Sequence, residues 1–152
     1  MTKEAVIVST ARTPIGKAYR GAFNDTDAPT MGGHAIAAAV ERAGIEPGEV
    51  DDVVIGCAMQ QGSSGYNIGR TAGVVAGLPS SVAGMSMDRQ CASGMMAIAT
   101  AAKQIISDGM PIVVGGGLDS ISLVSNEHRN TYRAKDPNVI AKSQHAYMSM
   151  IE

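Results

Sequence analysis

The chain has no tryptophan, one phenylalanine and four tyrosines in 152 residues. With aromatics at 3%, no platform for stacking on bases is encoded, and a net charge of -2 attracts neither nucleic acid nor an anionic membrane. Charge is scarce too, at 17% of residues against 45% hydrophobic, which describes a globular chain that is unusually apolar on its surface or at an interface. Cysteine is limited to Cys57 and Cys91, which fits a reduced cytoplasmic protein better than a disulfide scaffold. No Cys-x-x-Cys occurs, and His34, His128 and His145 stand at no metal-ligand spacing, so no metal site is expected. Long apolar runs are missing. Met1 to Glu4 leads into a five-residue run, too short for a signal sequence or a membrane span. A soluble cytoplasmic protein with no membrane segment is the expectation.

What is present is an alternation of strand and helix signals. Ala5–Ser9, Val53–Ile55, Val82–Met87 and Ile112–Val114 read as strands, the first two of them buried. Helices are predicted over Met31–Ala43 with Thr30 as N-cap and Gly44 as stop, over Tyr66–Gly77, and over Gln90–Ser107. Gly69 and Gly73 lie inside the second helix and each costs about 1 kcal/mol against alanine, so they need a packing reason. The third helix has almost no polar face, with Met95, Met96, Ile98, Ile105, Ile106 and a series of alanines. It is predicted to be buried all round, between two layers. The pattern is that of an α/β sheet with covering helices. After Ser125 the chain turns polar and irregular, and Ala146–Glu152 reads as the first turns of a helix that stops without a cap.

Cys91 lies where the third strand meets the third helix, in Met87-Asp88-Arg89-Gln90-Cys91-Ala92-Ser93-Gly94. The ordinary role of a cysteine is a small core hydrophobe. A strand-turn-helix setting instead exposes nucleophiles in other folds, and the free N–H groups and dipole of a helix start favour thiolate. Ser93 and Gly94 keep the first turn small, leaving room for a substrate. Backbone N–H groups near Cys91 can form part of an oxyanion site. No base is encoded nearby, and His128 or His145 would reach it only by folding back over the helix. Cys57 reads as core or strand-end filler. Gly115-Gly116-Gly117 lacks a phosphate-loop ending and reads as a tight strand exit. Arg12, Arg70 and His34 read as structural or solvated residues.

Four segments, in order, resemble the thiolase (acetyl-CoA acetyltransferase) family. Val6 to Gly16 looks like its opening strand and loop. Asn67-Ile68-Gly69-Arg70 with Ala76-Gly77-Leu78-Pro79 looks like its second helix. Asp88 to Gly94 resembles its nucleophile motif. Gly115 to Ser122 resembles Gly-Gly-Met-Glu-x-Met-Ser, with Leu118 and Asp119 as departures.

The resemblance implies the N-terminal half of a layered α/β/α fold, with a central buried helix starting at Cys91. Residues 1–119 would form a core half lacking its last strand, and 120–152 the start of an inserted loop domain. It implies a cysteine acyl-enzyme. Cys91 would take an acyl group from one acyl-CoA and pass it to the α-carbon of acetyl-CoA, or cleave a 3-ketoacyl-CoA in reverse. The Cys91 backbone N–H would join an oxyanion hole, and Met148 would line the acyl pocket. Coenzyme A would be a substrate, with no bound cofactor. Association into a homodimer or homotetramer would run through the strand Val82–Met87. The activating histidines and the acid/base cysteine of the family have no counterpart here, so the 152-residue chain is not expected to turn over substrate alone. A ketoacyl-synthase-like condensing enzyme and a non-catalytic acyl-CoA or lipid binder are the alternatives.

Overall fold

Three five-residue strands form a parallel sheet in a computed structural model that describes residues 3–127. They are β1 (Asp52–Gly56), β2 (Ala83–Met87) and β3 (Val113–Gly117), in the order β2-β1-β3. β1 is the central strand and is buried along its whole length. Val53 and Ile55 point into one hydrophobic cluster and Val54 into another, the period-two alternation of a strand covered on both faces.

Helices α1 (Ala28–Ala43) and α2 (Ile68–Val75) cover the Val53 face, with Ile36, Val40, Ile68 and Ala72 in the larger cluster. Helix α3 (Ser93–Lys103) covers the other face through Ala97 and Ala101 and continues into a π-turn over Gln104–Asp108. The result is the expected α/β/α layering. A short helix, α4 (Ile121–Val124), follows β3. No helix among the described residues is long and apolar enough to cross a membrane.

Local signals set most element ends. Gly44, at φ 67°, stops α1 as predicted. The start of α1 lies three residues earlier than Met31, with Asp27 at the N-cap and Pro29 in the first turn, where its missing N–H costs nothing. Helix α2 starts at Ile68 because Asn67 caps it. The Asn67 side chain accepts from the Arg70 N–H and donates to the Gly84 carbonyl at 2.8 Å. The packing reason for Gly69 is the β1–β2 floor. A Cβ there would strike the Met85 carbonyl oxygen and lie 2.9 Å from that of Val53. Gly73 has only ordinary contacts to Val53 and Leu78.

Three expectations are corrected. Ala5–Ser9 is not a buried strand: Val6, Ile7 and Val8 are 70–77% exposed, and the run pairs with no described strand. An apolar run favours extended chain, but a strand also needs a neighbour's hydrogen bonds. The glycine triplet is not a strand exit but part of β3 itself. Two of its three positions lie directly under α3: a Cβ on Gly115 would sit 3.0 Å from the Ile98 Cα and one on Gly117 2.8 Å from the Gly94 Cα, while Gly116 faces Ile55 with ordinary contact. Third, the central helix starts at Ser93, not Cys91, and is not buried all round. Only Ser93, Ala97 and Ala101 are buried, while Met95 is 78% exposed and Ile98 47%. Its second apolar side has no layer over it among the described residues.

The tightest contact joins α3 to the strand ends. A Cβ on Gly56 would collide with the Ser93 carbonyl group and the Gly94 nitrogen. Gly56→Ala is therefore expected to lower unfolding stability by about 1–3 kcal/mol, as overpacking does. Gly48→Ala, at an exposed position whose nearest neighbour is a Pro79 carbon at 3.8 Å, should stay within about 0.5 kcal/mol. Urea unfolding of the two variants checks the contrast.

Candidate active site

The turn between β2 and α3 is wired by its own short side chains. Asp88 Oδ1 accepts from the Gln90 N–H at 2.7 Å. Ser93 Oγ accepts from the Arg89 N–H at 2.8 Å and donates to the Gln90 carbonyl at 2.6 Å. Backbone bonds Ala92 N–H to Arg89 O and Ser93 N–H to Gln90 O close it further. Gln90 is held at φ 51°, a left-handed conformation that costs a non-glycine residue about 1–2 kcal/mol. Ser93 is 3% exposed, so its two hydrogen bonds are shielded from water.

This turn presents Cys91 to solvent at the N-terminal end of α3, one residue before the N-cap Ala92. The thiol borders a cavity of about 350 Å³ lined by Gly56, Gln90, Ser93, Gly94, Ile98 and the Gly117–Asp119 segment. The cavity lies at the carboxyl ends of β1 and β3, where parallel sheets with crossover helices place their ligands. Among the described residues no cation and no histidine line it. His34, the only histidine among the described residues, is exposed on α1, on the other side of the sheet. A solvent-facing thiol at a helix start, with small residues around it, is chemically suited to attack an electrophilic carbonyl.

Cys57 has the opposite surroundings. It is fully buried at the exit of β1, and its thiol donates to Asp119 Oδ1 at 3.4 Å. Burial, and then the Asp119 carboxylate, push the thiol up from 9.0 to about 11. It is a protonated structural thiol, as its sequence position suggests. The same Asp119 oxygen accepts the Ala58 and Met59 N–H groups, both at 3.1 Å. Nothing in the sequence singled out Asp119 or Ser93 for these bonds. The signal was there in kind, since each is a short polar residue beside a glycine-rich close approach.

Arg70 is structural: its guanidinium donates to the Val82 carbonyl at 2.7 Å and the Ser80 carbonyl at 3.2 Å. Arg12 donates to the neighbouring Thr13 carbonyl. Among the described residues no group of three metal-ligating side chains occurs. Met148, His128 and His145 lie outside the described residues.

The description "Thiolase, N-terminal domain" belongs to the family whose sequence profile matches residues 5–151. A 3-ketoacyl-CoA thiolase of Bacillus subtilis is 40% identical over 122 residues, covering 80% of this chain and 31% of that protein. An acetyl-CoA acetyltransferase of Rhizobium meliloti is 42% identical over 118 residues, covering 78% of this chain and 30% of its own length. The crystal structure of the Bacillus anthracis acetyl-CoA acetyltransferase superposes with a TM-score of 0.74 at 33% identity, over 88% of this chain and 34% of that one. The chain thus spans about a third of the length of the curated relatives it matches.

Two outcomes follow for the cysteines. Iodoacetamide at neutral pH should alkylate Cys91 in the folded chain and spare Cys57, with both modified in denaturant; peptide mass spectrometry reads the sites. Cys57 holds its proton longer when folded than when unfolded. Its contribution to stability is therefore fully present below pH 9.0 and lost as pH rises towards about 11. Urea midpoints measured from pH 8 to 11 should fall more steeply for the native chain than for Cys57→Ala.

Proposed function

The chain belongs to the thiolase family, and on that premise we propose that it carries the acyl-accepting cysteine of a thiolase-type acyl transfer. The observation that carries this reading is the exposed Cys91 thiol, bordering a cavity at the start of α3. The thiolate attacks the thioester carbonyl of an acyl-CoA. The tetrahedral intermediate collapses with loss of the coenzyme A thiolate, leaving an acyl thioester on Cys91. The acyl group then passes to the α-carbon of acetyl-CoA. In reverse, a 3-ketoacyl-CoA is cleaved and coenzyme A takes the acyl group. The Cys91 backbone N–H contributes to the oxyanion hole.

Among the described residues no histidine lines the cavity, and the one carboxylate that does, Asp119, is engaged by the β1 exit, so on this reading the proton-accepting group lies outside them. Turnover therefore needs more than the described fold. On this reading residues 1–119 are the core half and 120–152 the start of an inserted loop domain; Met148, which the resemblance assigns to the acyl pocket, lies outside the described residues. Acyl-CoA and coenzyme A are substrates and no cofactor is bound. Among the described residues β2 is an edge strand of the sheet, which suits association of copies into a homodimer or homotetramer. The setting is cytoplasmic fatty acid metabolism, without membrane or nucleic-acid partners.

Incubation with excess acetyl-CoA should leave a hydroxylamine-labile acetyl thioester on the Cys91 peptide, and none in Cys91→Ala. Ready alkylation of Cys91 by iodoacetamide, with no acetyl adduct after prolonged incubation, would sink the reading.

A further inference from the structure

We propose that Asp119 is a positioning residue for Cys91, its carboxylate clasping the exits of β1 and β3 that form the floor of the cysteine's cavity. The inference rests on the reading of Cys91 as the acyl-accepting nucleophile.

The clasp is built from one side chain. Asp119 leaves β3 two residues after Gly117, and its Oδ1 takes three donors from the β1 exit. These are the Cys57 thiol at 3.4 Å and the Ala58 and Met59 N–H groups, each at 3.1 Å. The Leu118 N–H extends the ladder to the Gly56 carbonyl at 3.0 Å, so the two exits stay paired up to the clasp. Further out, the Gln61 side chain donates to the Val124 carbonyl at 2.8 Å.

The floor matters because nothing cushions it. Gly56 abuts the backbone of Ser93 and Gly94, and a Cβ on Gly117 would lie 2.8 Å from the Gly94 Cα. Backbone stands directly on backbone beneath the turn that presents Cys91. A shift of either strand exit is passed to that turn with no side chain to absorb it. Asp119 also lines the Cys91 cavity itself, so the clasp forms part of the cavity wall. An acyl thioester must be attacked in a fixed orientation, and the wall facing the thiol helps set that orientation.

The test compares a small and a bulky thiol reagent at Cys91, iodoacetamide and pyrenyl maleimide. Sites are read by peptide mass spectrometry, with stability followed by urea unfolding. The ratio of the two rate constants within one variant reports the cavity's shape, because global unfolding admits both reagents. Asp119→Ala should raise the bulky-to-small ratio about fivefold, in keeping with the loss of net hydrogen bonding at the clasp. Asp119→Asn keeps an acceptor oxygen for the Ala58 and Met59 N–H groups and should stay within about twofold of the native chain. Asp119→Ser, whose hydroxyl is too short to reach, carries the same expectation as alanine should the alanine variant fail to fold. A fall in urea midpoint with an unchanged ratio overturns the proposal, since Asp119 would then be merely structural. A change in Asp119→Asn as large as in Asp119→Ala also overturns it, since charge rather than acceptor geometry would be the cause. A clasp response without any acetyl adduct at Cys91 removes the acyl-transfer reading alone. Acetylation with no clasp response removes the clasp alone.

Discussion

The arrangement of the cysteine-bearing end depends on one backbone-to-backbone contact, the first turn of α3 resting on Gly56. No side chain larger than hydrogen fits between the strand end and Ser93-Gly94. The approach continues along the helix, with Gly117 against Gly94 and Gly115 under Ile98. Three glycines on two strands thus let α3 lie closer to the sheet than ordinary side chains allow. Cys91 reaches the carboxyl ends of the strands because the helix behind it is seated there.

A close contact alone does not aim a thiol. The turn from Asp88 to Ser93 does so with side chains that bond their own backbone. Asp88 fixes the Gln90 N–H, and buried Ser93 ties Arg89 to Gln90. The left-handed Gln90 is held against its own preference by this network. Asp119 performs the corresponding task on the floor, where its carboxylate joins two strand exits that the glycines leave without side-chain packing. The two cysteines show what such surroundings decide. Cys57 and Cys91 are chemically the same residue, yet one is enclosed beside a carboxylate and the other is exposed at a helix start.

Much of this was legible in the residues. The apolar run Val53–Ile55, the stop at Gly44 and the position of Cys91 at a strand-helix junction all rest on local patterns. The four motifs in order identified the family that the profile and the relatives then showed. Other expectations failed where the outcome depended on a distant neighbour. Val6-Ile7-Val8 has the composition of a strand, but none of the described strands pairs with it. The glycine triplet looked like an exit because glycine breaks strands locally, whereas here Gly115 and Gly117 admit a helix from another part of the chain. The all-apolar third helix is covered on one side only among the described residues.

By itself the sequence determined the α/β alternation, the family resemblance and the placing of Cys91 at a strand-helix junction, because these follow from spacing and side-chain type along a short stretch. Only the tertiary structure decided which strands pair, that Gly56 and Gly117 hold the helix start, and that Asp119 reaches the Ala58 and Met59 N–H groups. Those features join residues some 20 to 60 positions apart. No local propensity encodes them, because strand pairing and helix docking bring such residues together only as the chain folds.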